Sequence, residues 1–122
     1  YADLMQDILD DLKESIRMAL EAGVKRENIM IDPGVGFAKN YEQNLMVLNR
    51  LEEFKSLGYP VLLGTSRKSV IGGALNLPPD QRVEGTAATT VVGIMKGCDF
   101  VRVHDVMENK RAAVMADAIV RL

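Results

Sequence analysis

The sequence predicts an α/β fold in which short parallel strands alternate with helices. Three apolar runs, each followed by polar residues, are separated by amphipathic segments, and they begin about 31 and 40 residues apart. Strands that alternate with helices form right-handed βαβ units and hence a parallel sheet. Two architectures fit this order, a part of a (β/α)₈ barrel or a small open doubly wound sheet. Because a complete barrel takes about 250 residues, the 122 residues here would form less than half of one.

The first half of the chain contains two predicted helices, each followed by a predicted strand. Apolar residues recur at three- and four-residue steps over residues 4–20, which predicts an amphipathic helix that ends at Gly23. The apolar run 29–31 predicts a buried strand, closed by the turn that follows it. A second helix is expected to end at Gly58, with an apolar face made of Leu45, Leu48, Leu51, Phe54 and Leu57. The run 61–63 then predicts a second buried strand.

The second half continues the alternation. A loop is predicted over residues 64–73, followed by a helix over residues 83–96 that ends at Gly97. Residues 100–104 predict a third strand, and its alternation puts Phe100, Arg102 and His104 on one side. The last helix is expected from about residue 108, with an inner face made of Val114, Met115, Ala118, Ile119 and Leu122.

Composition argues against several classes of protein. No run approaches the roughly 18 apolar residues of a membrane helix, and no apolar leader opens the chain, which predicts a cytoplasmic protein with no membrane partner. The single cysteine, Cys98, cannot form an internal disulfide, and with only one histidine it cannot complete a structural zinc site. Cys98 is therefore expected in the core. A net charge of −2 without tryptophan argues against a nucleic-acid partner.

Charge is unevenly distributed along the chain. Residues 1–60 hold 11 acidic and 7 basic residues, whereas residues 61–122 hold 6 acidic and 8 basic ones. An anionic ligand is therefore expected near the second half.

Polar residues follow each predicted strand, at the edge where parallel sheets bind ligands. Asp32 can accept two parallel hydrogen bonds from a planar N–H/NH₂ edge, and the alternative is an aspartate that caps the turn before Pro33. Ser69 follows two cations and stands where a helix can start, so backbone amides there could hold an anion. The alternative for that segment is a solvated Arg67-Lys68 pair on a flexible loop.

Arg102 and His104 are two residues apart and share one strand face. A phosphate or pyrophosphate would neutralise an arginine in this position, held by the guanidinium and a ring N–H of His104. The alternative is an Arg102 neutralised by Asp32 or Asp105, with His104 as a satisfied core residue.

Four segments together carry a resemblance to the dihydropteroate synthase family. They keep the family's order and spacing over residues 29–106, and they read DPGVGFAK (32–39), GTSRKSVIG (64–72), RVEGTAA (82–88) and VRVHD (101–105). The resemblance implies a (β/α)₈ barrel, of which residues 1–122 would form strands six to eight with the preceding helix, without the N-terminal half. It also implies a transferase of folate biosynthesis, in which the amine of p-aminobenzoate displaces pyrophosphate from 6-hydroxymethyl-7,8-dihydropterin pyrophosphate.

The resemblance further implies roles for individual residues. Asp32 is similar to the carboxylate that pairs with the pterin ring, and Phe37 and Gly64 match positions that line the pterin and aminobenzoate pockets. Lys68 matches a lysine that hydrogen-bonds the pterin and flanks the aminobenzoate, whose carboxylate would meet Ser69. Arg102 and His104 match the site for the leaving pyrophosphate. Lys68, Arg102 and His104 are thus the expected catalytic residues, and none of the site residues is expected to bind a metal directly.

The family also implies a magnesium ion held mainly by pyrophosphate and by the N-terminal half, a homodimer, and inhibition by sulfonamides. The 122 residues alone are expected to bind pterin weakly and to have no turnover. One alternative is a pterin-binding methyltransferase barrel, which would not need Lys68 or the Arg102–His104 pair. Another is a non-catalytic half-barrel whose open strand edges pair with another chain.

Overall fold

The computed structural model describes residues 3–37 and 39–122, which form a short parallel sheet and five α-helices. The strands are β1 (Leu62–Leu63) and β2 (Phe100–Val101), and Leu62 pairs with Phe100 and Leu63 with Val101. The helices are α1 (Leu4–Glu21), α2 (Tyr41–Asn49), α3 (Ser69–Leu75), α4 (Val83–Met95) and α5 (Val106–Val120). Short 3₁₀ helices cover Arg26–Asn28, Leu51–Leu57 and Pro79–Gln81.

The three predicted strands lie side by side in parallel, with β1 in the middle. Ile31 forms a parallel bridge with Val61, and its carbonyl accepts a 2.8 Å hydrogen bond from the Leu62 amide. On the other side, the Arg102 amide donates to the Leu63 carbonyl at 2.9 Å. The polar segments that follow the three strands therefore emerge at the same edge of the sheet.

The first and third strands are shorter than the sequence predicts. Only Ile31 of residues 29–31 pairs, and Met30 is exposed, so this segment is not buried on both faces. Beyond β2, the Arg102 amide still donates to the Leu63 carbonyl, but the His104 amide donates to the Ser66 side chain instead of to a neighbouring strand. The predicted alternation is nevertheless confirmed, since Phe100, Arg102 and His104 are exposed and the intervening valines are half-buried.

Helix α1 confirms the predicted amphipathic helix and its glycine stop. The Asp3 carboxylate caps it by accepting from the Gln6 amide, and Gly23 adopts a left-handed φ of +95° just beyond its end. Leu4 and Met5 are buried at its start.

The predicted second helix is two helices. Helix α2 ends at Asn49, and after Arg50 the chain continues as the 3₁₀ helix Leu51–Leu57, which a left-handed Gly58 terminates. The reason is that the apolar residues of the predicted helix recur at every third position, at Leu45, Leu48, Leu51, Phe54 and Leu57. Such a spacing stays on one face of a 3₁₀ helix, with three residues per turn, but drifts around an α-helix. Leu51 and Phe54 are accordingly buried, whereas Leu45 in α2 is exposed.

The predicted loop 64–73 is a loop only as far as Lys68, since Ser69 begins α3. Helix α4 confirms the predicted helix over residues 83–96 to within one residue.

The predicted inner face of the last helix is wrong. Helix α5 starts at Val106, and Val114, Met115 and Ile119 are each more than 60% exposed, at 61%, 62% and 63%. Its inner face consists instead of Asn109 and Ala116, which are buried. Small residues allow α5 to approach α4 closely, and the buried Thr90 hydroxyl of α4 donates to Asn109 Oδ1 at 2.8 Å.

Cys98 lies in the core, as predicted, and burial raises the pKa of its thiol to about 11. Among the helices of the described residues, none has the length and hydropathy needed to cross a membrane.

Candidate functional site

The segments at the ends of β1 and β2 enclose a small polar cavity at one edge of the sheet. It has a volume of about 150 Å³ and is lined by Gly64, Ser66, Lys68, Arg102, Val103 and His104. Four of the seven predicted site residues, Gly64, Lys68, Arg102 and His104, thus line one cavity. Its lining includes two cationic side chains and an imidazole, which suit an anionic ligand, together with the hydroxyl of Ser66.

Arg102 lies across Gly64 and faces the cavity. A Cβ atom on Gly64 would be 2.8 Å from Arg102 Nη2, so only glycine gives the guanidinium this space. Within residues 3–37 and 39–122, no carboxylate forms an ion pair with Arg102. Asp105 pairs with Arg67 at 3.2 Å instead. Neutralisation of Arg102 by Asp32 or Asp105, the alternative weighed from the sequence, is therefore wrong.

His104 is held by two contacts with a single side chain. Its backbone amide donates to Ser66 Oγ at 2.9 Å, and its Nδ1 lies 2.6 Å from the same oxygen. Ser66 itself is buried, whereas His104 is exposed. The imidazole is thus anchored on its Nδ1 side, and it is not a core residue.

Lys68 connects the 64–68 loop to the turn after the first strand. Its Nζ donates to the Val35 carbonyl at 2.6 Å and lies 4.8 Å from the centre of the Phe37 ring, at cation–π distance. Burial lowers the pKa of the Lys68 ammonium, Asp32 opposes this shift, and nearby cations add to it. The Asp32 carboxylate and the Arg102 and Lys39 cations therefore all act electrostatically on this ammonium.

One carboxylate oxygen of Asp32 caps the turn that follows it, and the other is available to accept a hydrogen bond from a ligand. Oδ1 accepts from the Gly34 amide at 2.8 Å, which is the turn cap expected as one alternative for this residue. In the described part of the chain, Oδ2 accepts no hydrogen bond. Gly34 has a φ of +75°, which glycine adopts without strain. Both interpretations of Asp32 are thus compatible, because one oxygen can cap the turn while the other faces a ligand.

Phe37 and Ser69 lie beside the cavity without lining it. The Phe37 ring is 63% exposed and touches the site through the Lys68 ammonium. Ser69 is the first residue of α3 and is exposed. The roles predicted for these two side chains remain predictions.

Arg82 holds the 64–68 loop from outside, although it was not among the predicted site residues. Its guanidinium donates to the carbonyls of Leu77 at 2.7 Å, Arg67 at 2.8 Å and Lys68 at 3.3 Å. It crosses directly over Gly72, where any Cβ atom would collide with it. The one signal in the sequence was the position of Arg82 within the segment 82–88, which does not reveal a contact across 15 residues.

Two further residues shape the loops by bonds that the sequence does not reveal. Buried Asn44 accepts from the Gly36 amide at 2.8 Å and so fixes the turn after the first strand to α2. Buried Thr86 accepts from the amide of Arg67 at 3.3 Å, and Arg67 itself has a left-handed φ of +57°. Cavity geometry therefore depends on helices α2 and α4.

Comparisons with known proteins agree on one family. Residues 1–104 match the family described as pterin binding enzyme. A dihydropteroate synthase of Clostridium beijerinckii is 69% identical over 122 residues, covering 99% of this chain and 45% of the relative. The dihydropteroate synthase of Bacillus subtilis is 60% identical over 119 residues, covering 98% of this chain and 42% of the relative.

Solved structures lead to the same family. A dihydropteroate synthase from Clostridium difficile, crystallised in the presence of pteroic acid, superposes with a TM-score of 0.96 at 62% identity, over 98% of this chain and 46% of that one. A dihydropteroate synthase from Yersinia pestis in complex with a sulfonamide drug superposes with a TM-score of 0.95 at 40% identity, over 98% of this chain and 43% of that one. These matches confirm the predicted fold, part of a (β/α)₈ barrel, and the chain spans less than half the length of each of the four relatives.

Proposed function

Because this chain belongs to the pterin binding enzyme family, we propose that it forms the part of a dihydropteroate synthase that binds the leaving pyrophosphate and one side of both substrates. The reaction joins p-aminobenzoate to 6-hydroxymethyl-7,8-dihydropterin pyrophosphate. The amine nitrogen forms a bond to the exocyclic methylene carbon, and the bond from that carbon to the pyrophosphate oxygen breaks. Pyrophosphate leaves with the electron pair, and the amine loses one proton.

The observation that carries this proposal is the unpaired guanidinium of Arg102 beside the anchored imidazole of His104. Both face a cavity whose described side chains include no carboxylate. Negative charge develops on pyrophosphate as the bond to carbon breaks, and cations aimed at that charge lower the barrier most when water is excluded. Arg102 and His104 are proposed to stabilise the departing oxygen electrostatically, so no covalent nucleophile is needed.

The pterin is proposed to lie between Asp32 and Lys68. An amino-pyrimidine ring presents an N–H and an NH₂ in one plane, and a carboxylate accepts such a pair. The uncommitted Oδ2 of Asp32 supports this assignment. Lys68 is already placed beside this carboxylate by its bond to the Val35 carbonyl, and Phe37 adds an exposed aromatic surface.

The p-aminobenzoate is proposed to bind along Lys68 and Ser69, with Gly64 at the inner end of its pocket. Ser69 opens α3, so the carboxylate it meets would also face backbone amides of the first turn. The Yersinia relative was solved with a sulfonamide, and such drugs are expected to compete with p-aminobenzoate at this position. None of these residues activates the amine, so the contribution of this pocket is orientation.

The residues of this cavity do not form a magnesium site. Magnesium prefers oxygen ligands, whereas Arg102, Lys68 and His104 present nitrogen donors. The described residues also contain no group of three or more His, Cys, Asp or Glu placed to hold a metal. A magnesium ion would have to be bound by pyrophosphate oxygens and by residues other than these, and no step of the proposal passes through it.

The methyltransferase alternative is not favoured. The relatives described above at 60% identity or more are named dihydropteroate synthase, and a methyltransferase would not need the Arg102–His104 pair. A homodimer is proposed to form through the apolar face that α5 exposes at Val114, Met115 and Ile119. A cytoplasmic location also remains a prediction.

The test is Arg102→Ala in the complete enzyme that contains this chain. A charge-assisted hydrogen bond contributes about 1.5–3 kcal/mol, so pyrophosphate affinity and turnover should both fall roughly tenfold to a hundredfold. Arg17→Ala on the exposed surface of α1 is the control, since it removes the same charge from a residue outside the cavity lining and should change neither quantity. Near-normal pyrophosphate affinity in Arg102→Ala would disprove the assignment.

A further inference from the structure

The contacts of Ser66 determine which ring nitrogen of His104 carries the proton. Ser66 Oγ lies 2.9 Å from the backbone nitrogen of His104 and 2.6 Å from Nδ1 of its ring. A backbone amide can only donate, so Oγ accepts in the first contact. One proton must lie between Oγ and Nδ1 in the second.

The hydroxyl proton of Ser66 has one available acceptor in the described part of the chain. Ser66 is buried, and its other contact already uses Oγ as an acceptor. If Nδ1 carried the proton, the hydroxyl would accept twice and its own proton would have no acceptor among the described residues, which is costly for a side chain that is only 8% exposed. If the hydroxyl donates to Nδ1, every polar atom of the pair is satisfied.

We propose that Ser66 is a positioning residue that holds His104 as the neutral tautomer with its proton on Nε2. The functional consequence of this inference rests on the proposed function: the Nε2–H of His104 then donates to an oxygen of the leaving pyrophosphate. Ser66 does not touch the anion in this role. It acts through His104, by fixing the ring plane and the tautomer before the ligand arrives.

A neutral donor suits the charge of this cavity. Arg102 and Lys68 already supply two cations, and Asp105, the nearest carboxylate in sequence, is occupied by Arg67. The Nε2–H tautomer adds a directed hydrogen bond without a third positive charge. Because Ser66 contacts both the backbone amide and Nδ1 of His104, it fixes the backbone and the ring together and thereby the direction of the Nε2–H bond.

The direct test is nitrogen NMR of ¹⁵N-histidine-labelled protein at a pH where the ring is neutral. His104 is the one histidine of this sequence, and His104→Gln identifies its resonances if the complete enzyme contains others. The wild-type protein should show a protonated Nε2 and an unprotonated Nδ1. A predominant Nδ1–H tautomer would overturn the inference, whatever the behaviour of any variant.

Two variants then test the role of the hydroxyl. Ser66→Ala should give a mixture of tautomers and weaken inorganic pyrophosphate binding about threefold to tenfold, because the amide and the ring lose their common partner. Ser66→Thr keeps a hydroxyl and should restore the Nε2–H signal and most of the affinity. Ser56→Ala, which removes an exposed hydroxyl from the 3₁₀ helix Leu51–Leu57, is the matched control and should alter neither.

The outcomes separate this inference from the proposed function. An unchanged tautomer in folded Ser66→Ala would overturn the role of Ser66. Normal pyrophosphate affinity in Arg102→Ala would instead overturn the proposed function, and the tautomer measurement would stand without it.

Discussion

Replacing Gly64 by alanine tests whether the position of the Arg102 guanidinium, and not only its charge, is needed for anion binding. The backbone of Gly64 is not left-handed, so alanine is compatible with its conformation. Its Cβ atom, however, would lie 2.8 Å from Arg102 Nη2 and 3.3 Å from Cζ. Ordinary contacts begin at 3.4 Å, so Nη2 must move by about 0.6 Å or more, away from the cavity floor.

The structure separates the expected effects on stability and on binding. Arg102 is exposed and has a flexible side chain, so the free energy of unfolding should change by no more than about 0.5 kcal/mol. A displaced guanidinium keeps its charge but loses hydrogen-bond geometry. We expect a loss of about 1 kcal/mol from a bond of about 1.5–3 kcal/mol, or roughly fivefold weaker pyrophosphate binding.

Calorimetric titration of inorganic pyrophosphate into the complete enzyme measures the affinity, and denaturant unfolding measures the stability. Gly73→Ala is the matched control, because its Cβ atom would press on the Tyr41 ring at 2.6 Å, away from the cavity. It should reduce stability and leave pyrophosphate affinity unchanged. In an Arg102→Ala background, Gly64→Ala should have no further effect on affinity. Unchanged affinity in Gly64→Ala, or an equal loss in both backgrounds, would refute the reasoning.

Two further substitutions test contacts outside the cavity. Arg82→Met removes three hydrogen bonds to carbonyls in and around the 64–68 loop. The amides of that loop should then exchange with solvent about tenfold faster or more, which hydrogen-exchange mass spectrometry can measure. Unchanged exchange would contradict the role of Arg82. The Lys55 ammonium and the Val61 amide hold the pKa of the Asp99 carboxyl below its ordinary value of 3.8, so its contribution is present above that value and is lost as the pH falls through the lower folded value. Asp99 is 36% exposed, so Asp99→Asn should cost about 1 kcal/mol of unfolding free energy at neutral pH. This cost should shrink as the pH falls through the lowered pKa of Asp99, and a pH-independent loss would refute this.

The location of the site could be predicted from the sequence because it follows from strand order alone. Parallel strands place their carboxyl ends at one edge, where Asp32 and Lys68 follow predicted strands and Arg102 lies near the end of the third. The spacing of residues does not reveal which charged side chains form ion pairs with each other. Arg102 could have paired with Asp32 or Asp105, and only the folded chain shows that Arg67 takes Asp105.

Helix faces were predictable only where apolar size decides the packing. In α1 the apolar stripe is long and regular, and the prediction is confirmed. In α5 the largest apolar residues are exposed, because the contact with α4 requires small residues and a polar pair between Thr90 and Asn109. Hydrophobic periodicity therefore identified an apolar face of α5 that is exposed, and it did not identify the face that packs on α4.

The hydrogen bonds that build this site also explain why Arg102 remains without a carboxylate partner. Both nearby carboxylates already have structural roles, since Asp105 accepts from Arg67 and Asp32 caps its own turn through Oδ1. The loop that carries Arg67 is in turn held by Arg82, so the pair with Asp105 cannot easily exchange for one with Arg102. A guanidinium that forms no ion pair with a carboxylate of residues 3–37 and 39–122 is well placed to pair with an anionic ligand. The proposed binding of an anion at this edge therefore depends on the hydrogen bonds that hold the loops as much as on the charge that lines the cavity.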